Sequence, residues 1–331
     1  MANITIYKVE SYKPEYYRVF SGIYNDFCIN AASDYNFELK PLEYDKFVKS
    51  LEQGLLQCLI LFEDDIPTGF LVYTTLISES LELNIIHCIG SENLNAKRKL
   101  LLEKFIELNK HIMYNKVVTY PMLGKQSSFA QDIKDFGFKT VNTSVMVFDL
   151  SDVSSINKVK TIYAPELPNG YSITNWQSKY YKDAAEIIHD AFKDTSDALF
   201  DERFKSNRGS KDILEKITES IYGVFLPGVT KVLLYKKHPV GLCFANLTNE
   251  RIANIPIVAI IKKHRNKGFG KILLKQVVDN FLESAISGGW GIKELNASCD
   301  SDNIPAVNMY ISNGFVERYS YFQAYHEALK H

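Results

Sequence analysis

The sequence predicts an α/β protein made of two tandem domains of similar design, each a mixed, mostly antiparallel sheet flanked by helices. Three observations lead there. The chain has 331 residues, enough for two hydrophobic cores at about 150 residues per domain. The same order of helical and strand patterns runs through it twice. The stretch Ile255–Leu274, IPIVAIIKKHRNKGFGKILL, reads as strand, glycine turn and helix.

In the first half, helical spacing covers 14–32 and 41–53, with Tyr44, Phe47, Val48 and Leu51 on one face of the second helix. Strands follow at 55–62, 68–77 and 81–89, then a helix at 95–110 and the strand 116–120. A helix at 126–136 stops at Gly137, before two closing strands near 138–150. Residues 151–167 are polar, carry Pro165 and show little periodicity; they read as a linker between domains at 1–150 and 168–331. The second half then repeats the order: helices at 178–194 and 211–222, strands at 229–236 and 240–248, a central strand at 252–261 and a helix at 268–284. A strand at 293–299, a helix at 303–313 and strands to 327 complete it. Pro67-Thr68-Gly69 answers Pro239-Val240-Gly241, His87-Cys88-Ile89 answers Val258-Ala259-Ile260, and Gly137-Phe138 answers Gly314-Phe315, at offsets of 172, 171 and 177 residues.

Composition narrows the function. A net charge of −1 supplies no global positive field, so a nucleic-acid partner is not expected. The basic residues at 262–271 are a local cluster suited to a phosphorylated small molecule. Five scattered cysteines without zinc spacing, and histidines without HExxH, point away from a metal site and toward a reducing cytoplasm. Neither a signal peptide nor a membrane span is expected.

The glycine turn carries the chemistry. A helix begins with unpaired N–H groups and partial positive charge, which attracts anions. Gly268 and Gly270 let a diphosphate come close to those amides, and Arg265, Lys267 and Lys271 add charge. The turn lacks the GxxxxGK[ST] order of nucleoside-triphosphate loops and the three-glycine dinucleotide spacing.

Arg265-Asn266-Lys267-Gly268-Phe269-Gly270 resembles the R/Q-x-x-G-x-G/A motif of the GNAT superfamily of acyl-CoA-dependent N-acyltransferases. Asn303-Ile304-Pro305-Ala306-Val307-Asn308-Met309-Tyr310, followed by Asn313-Gly314-Phe315, is similar to that family's N-x-x-A-x-x-x-Y…GF segment. The resemblance implies that acetyl-CoA is the acyl donor, with its pyrophosphate on 265–271 and its pantetheine on the backbone of Val258, Ala259 and Ile260. It further implies that Asn303 faces the cofactor and that Tyr310, on the same helix face, protonates the leaving thiolate. The acceptor is then a primary amine of a small molecule or peptide, and the acceptor pocket falls on 193–209, with Asp194, Asp197, Asp201, Glu202, Arg203 and Arg208.

One residue departs from the pattern. Many members carry a glutamate as general base where this chain has Asn254, so water, a backbone carbonyl, or a group such as Glu250 or His264 must take the proton, or no amine is acylated. The first half lacks the motif: an ungapped alignment from Ile89 sets Leu94, Lys97 and Lys99 opposite Arg265, Gly268 and Gly270, and Gln126 and Ile133 opposite Asn303 and Tyr310. A structural and substrate-shaping role is expected for it. A non-catalytic sensor of acyl-CoA, or a partner-binding protein on the same fold, is the alternative; an aminoacyl-tRNA-dependent transferase is disfavoured by the RNKGFG loop.

Overall fold

The computed structural model describes residues 5–36, 40–75, 80–90, 93–161, 166–286 and 291–329. Residues 162–165 of the expected linker, with Pro165, and 76–77 of an expected strand lie outside the described residues. The chain forms two compact units, Met1–Asn142 with Tyr321–His331, and Thr143–Ser320.

The first unit opens with β1 (Tyr7–Ser11), a strand that its half-polar sequence did not announce, and α1 (Tyr17–Tyr35). Phe20, Ile23, Tyr24, Phe27 and Ala31 recur at helical spacing on the buried face of α1. After α2 (Tyr44–Glu52) come β2 (Gln57–Glu63), β3 (Ile66–Thr74), β4 (Ser80–Cys88), α3 (Leu94–Met113), β5 (Val117–Met122) and α4 (Ser127–Asp132). The strands lie in the order β1-β2-β3-β4-β5, with Phe322–His326 antiparallel to β5. Neighbours are antiparallel except β4 and β5, which run parallel over Ser80–Glu82 and then part. One core fills the α1 and α2 face around Phe20 and Phe70, and another the α3 face around Leu101 and Phe105.

A single long strand, β6 (Lys139–Asp149), replaces the two expected near 138–150, and it leads from the first unit into the second. The expected linker holds α5 (Val153–Lys160), whose Val159 is fully buried. There follow β7 (Tyr171–Asn175), α6 (Tyr181–Phe192), α7 (Asp197–Phe200), α8 (Asn207–Thr218), β8 (Val224–Phe225), β9 (Lys231–Tyr235), β10 (His238–Cys243) and β11 (Asn246–Leu247). The chain ends through β12 (Ile252–Asn254), β13 (Val258–Ile260), α9 (Phe269–Ile286), β14 (Glu294–Asp300), α10 (Ile304–Ile311) and β15 (Val316–His326). In this unit Thr143–Asp149 of β6 pairs residue for residue with β14, which continues to β12, β11 and β8; a second sheet runs β13-β10-β9-β7. Helices α6 and α8 bury Ile187, Ile188, Ile213 and Leu214 against one side, and α9 buries Leu273, Val277 and Phe281 on the other.

The unit boundaries therefore differ from an expected division at 150 and 168. Each half hands over its last strand: Thr143–Asp149 completes the sheet edge beside β14, and Phe322–His326 the edge beside β5. The central strand expected at 252–261 is likewise two strands in two sheets.

The internal repeat is visible as a shared irregularity. Both β2–β3 and β9–β10 skip one residue, Thr68 and Val240, and both following glycines pair onward, Gly69 with Cys88 and Gly241 with Ile260. The offset is 172 residues at each of these points, which corrects the alignment from Ile89 by one position. Ala96 and Arg98, rather than Lys97 and Lys99, then stand opposite Gly268 and Gly270. No helix of the described residues is long and apolar enough to cross a membrane.

Candidate acyl-transfer site

The site is built on a fork in the second unit. β12 pairs in parallel with β14 as far as Asn254↔Asn296, and the Ile255 amide still donates to the Asn296 carbonyl at 2.8 Å. From Val258 the chain pairs with β10 instead, leaving β13 at the edge of its sheet. Val258, Ala259 and Ile260 thus alternate backbone groups toward β10 and toward the fork, and an edge strand offers its unpaired amides and carbonyls to whatever enters. This is a backbone slot, which explains why the side chains of Val258–Ile260 announce no chemistry.

The slot runs into the glycine turn. After a single 3-10 turn at Lys262–His264, Asn266 (φ 61°) and Gly268 (φ +75°) take left-handed backbone and α9 starts at Phe269. A Cβ on Gly268 would meet nothing within 4 Å, so glycine is set there by its dihedral and by the open space above it. At Gly270 a Cβ would sit 3.0 Å from Met309 Sδ, because the first turn of α9 closes on α10. Exposed Lys267 and half-buried Lys271 flank the turn.

Arg265, Lys267 and Phe269 of the motif have structural partners, with Lys267 Nζ donating to the Tyr171 hydroxyl at 3.3 Å. The Arg265 guanidinium donates to the carbonyls of Ile260 (2.8 Å), Asp190 (3.2 Å) and Ala191 (3.3 Å), tying the end of α6 to the end of β13. Phe269 is buried behind the turn against Tyr171, with ring centroids 4.5 Å apart, and the Tyr171 hydroxyl is 2.6 Å from His264 Nδ1. Burial, helped by Lys267 and Lys263, holds the His264 pKa below its ordinary value. His264 is thus part of the turn's rear wall.

Tyr310 stands on α10, whose start is capped by Asn303: its Oδ1 accepts from the Ala306 amide at 3.2 Å, and Pro305 occupies the first turn. The Tyr310 ring is buried edge-on to Phe315, 5.4 Å between centroids, beside Cys243 and Cys299. Its hydroxyl has no hydrogen-bond partner among the described residues, and burial raises its pKa, so the phenol keeps its proton. The Cys299 thiol is pushed up to about 11 by burial and nearby carboxylates, which makes it a poor nucleophile.

The opposite face of β12 and β14 looks toward α6–α8. Ala253, Leu295 and Ala297 belong to the α9 core, so alternation sends Asn254, Asn296, Ser298 and Asp300 to this other face. Asn254 lies between Asn246 and Asn296 in one cross-strand row of three carboxamides, none of which accepts a proton. Carboxylates enter at the end of β14: Ser196 Oγ donates to Asp300 Oδ2 at 2.8 Å, bringing α7 alongside, and Thr195 Oγ1 donates to Asp197 Oδ2 at 3.1 Å. Solvent reaches Asp197, yet the surrounding protein dehydrates its carboxyl and raises its pKa, as does Asp300. Of the other charged residues expected in the pocket, Asp201 and Arg203 pair with each other, Asp212 takes the remaining side of Arg203, and Asp194 faces solvent. Sequence pattern had no means of separating Asp197 from its neighbours, because the distinction rests on the fold of α7 onto β14.

In the first unit the corresponding fork between β4 and β5 is filled. The Tyr35 hydroxyl reaches the Ile86 carbonyl at 3.3 Å, and the Lys125 amide donates to the Asp34 carbonyl at 2.9 Å. Helix α3 starts at Leu94, about one turn earlier in the repeat than α9, so a helical turn overwrites the glycine loop. Arg98 is buried over the Phe129 ring, and Lys97 is pinned by Glu63 at 2.8 Å.

Residues 176–315 match the family model described as "Acetyltransferase (GNAT) family". No curated protein matches the sequence. Among solved structures the chain is similar to a GCN5-related N-acetyltransferase from Sphaerobacter thermophilus, at 14% identity over 98% of both chains and a TM-score of 0.63. It is also similar to a tandem GNAT protein from the clavulanic acid biosynthesis pathway, at 12% identity over 98% of this chain and 100% of that one, with a TM-score of 0.58. At such identities the likeness establishes the fold, two GNAT-type domains in tandem over nearly the whole chain.

Proposed function

We propose that this chain, whose residues 176–315 match the acetyltransferase (GNAT) family model, is an acetyl-CoA-dependent N-acetyltransferase acting by direct transfer on a primary amine of a small molecule or peptide. The observation that carries the reading is the fork: after β12 the chain leaves β14, and β13 runs as an edge strand into the turn at Asn266–Gly270. Such an edge suits pantetheine amides, and the free N–H groups at the start of α9 suit a pyrophosphate.

In this mechanism Val258, Ala259 and Ile260 hold the donor by backbone hydrogen bonds. Gly268, Phe269 and Gly270 present amides to the phosphates, Lys267 and Lys271 add charge, and Asn266 and Arg265 keep the turn in shape. Acetyl-CoA supplies an activated acyl thioester. Tyr310, buried, protonated and without another partner, gives its proton to the departing sulfur; Asn303 fixes the helix that aims it. The first unit carries no acyl-CoA site in this reading, since its fork is filled by Tyr35 and its loop by a helical turn. Thiol release from acetyl-CoA in the presence of ethanolamine, glucosamine, lysine, spermidine and a peptide with a free N-terminus tests the function. Turnover with at least one is expected; tight acetyl-CoA binding with no turnover on any would favour the sensor reading.

A further inference from the structure

We propose that Asp197 is the general base that takes the proton from the acceptor's ammonium, an inference that rests on the acetyltransferase reading above. The position that a carboxylate fills in many relatives is occupied here by the middle member of the row Asn246–Asn254–Asn296, and a carboxamide binds no proton at neutral pH. The base must come from another element.

The carboxylates around the fork sort by what already holds them. Glu294 is clamped by both nitrogens of Arg318 at 2.8 and 2.5 Å. Asp190 accepts from the Lys262 amide at 2.7 Å, and Asp201 and Asp212 share Arg203. Asp300 accepts from the Asp302 amide on one oxygen and from Ser196 on the other. Glu317 accepts from Ser144 at 2.7 Å. His264 is bound to Tyr171 behind the turn.

Asp197 differs from all of these. It sits at the start of α7, its Oδ2 is oriented by Thr195, and no cation pairs with it among the described residues. The link between Ser196 and Asp300 sets it beside the end of β14, near enough to Tyr310 and Cys299 for its charge to act on both. An acid and a base thus flank the point where the thioester is expected, the acid from the α9 side of the sheet and the base from the α6–α8 side. Dehydration and the neighbouring Asp300 raise the Asp197 pKa above its ordinary value and so strengthen it as a base.

The step balances without a further reactant. Asp197 takes one proton from the ammonium; the freed nitrogen forms a bond to the acetyl carbon as the C–S bond breaks. The thiolate takes the Tyr310 proton, the second nitrogen proton restores Tyr310, and Asp197 returns its proton to water.

The test uses the full chain with acetyl-CoA and whichever of the five acceptors above turns over fastest. Asp197→Asn keeps the size of the side chain and its bond from Thr195, so acetyl-CoA affinity by calorimetry is expected to be unchanged. Its kcat is expected to fall about 10²- to 10⁴-fold at neutral pH, then climb with pH toward the pKa of the acceptor itself. Asp300→Asn keeps an acceptor for Ser196 but removes the charge beside Asp197, so the acid limb of its kcat profile is expected at lower pH than in the wild type. Wild-type kcat with an unmoved limb in Asp197→Asn, or an unmoved limb in Asp300→Asn, overturns the assignment while the transferase stands. A wild-type chain that turns over none of the five acceptors overturns the transferase reading and the base together.

Discussion

The Tyr35 hydroxyl lies 2.9 Å from Nδ1 of His87, and Nε2 of the same ring lies 3.0 Å from Asp26 Oδ2. With the Nε2 proton given to Asp26 and the Tyr35 proton given to Nδ1, the neutral imidazole is satisfied on both sides within the first unit's filled fork. A second ring proton, on Nδ1, would turn the Tyr35 O–H away from the ring and toward the Ile86 carbonyl at 3.3 Å.

A pH dependence follows from this arrangement. Burial is the main cause that lowers the His87 pKa from 6.5, against a smaller opposing effect of Asp26. The unfolded chain therefore binds the proton first as pH falls. Stability is full above 6.5 and is lost progressively as pH drops toward the folded pKa. Thermal melts between pH 7.5 and 5 should show this fall, and His87→Phe, which keeps a ring and removes the titration, should flatten it. Parallel curves for both proteins would show that other groups set the slope.

Acetyl-CoA should bind once per chain, since the R-x-x-G-x-G pattern occurs once in the sequence, at Arg265–Gly270. Gly268→Ala adds a side chain in open space at φ +75°, a strain of about 1–3 kcal/mol, and Gly268→Asp adds negative charge near the phosphates. Calorimetry should give one site in the wild type, weakened about tenfold by alanine and more by aspartate. Two equivalent sites would refute the assignment of the first unit.

Tyr310→Phe removes a hydroxyl with no partner among the described residues. Melting temperature and acetyl-CoA affinity should hold, whereas kcat should fall about 10²-fold. An undiminished kcat under conditions where chemistry limits the rate would leave Tyr310 as a packing residue.

The strand exchange predicts how the chain divides. A fragment of residues 168–331 lacks Thr143–Asp149, and with it seven paired residues along β14 and the core groups Met146, Phe148 and Val159. It should be insoluble or molten, with non-cooperative thermal denaturation. A fragment of residues 143–320 should melt cooperatively. Equal behaviour of the two would mean that the β6 segment contributes little to the second unit.

The sequence alone determined the parts whose physics is local. Helix α9 and its turn were legible at Gly268 and Gly270 because a left-handed entry and a helical stripe are written into neighbouring residues. The same holds for α10, where Asn303, Pro305 and Tyr310 set cap, first turn and face within eight residues. The tertiary structure decided the rest, because a strand satisfies its hydrogen bonds on another segment and its own side-chain alternation does not name the partner. Nothing in Thr143–Asp149 says that it will pair with β14, and nothing in IANIPIVAI says that the chain changes sheets after Asn254. Asp197 became distinguishable from the acids around it only when the Ser196–Asp300 bond set α7 against β14, since burial and electrostatic context arise from residues that the sequence keeps a hundred positions apart.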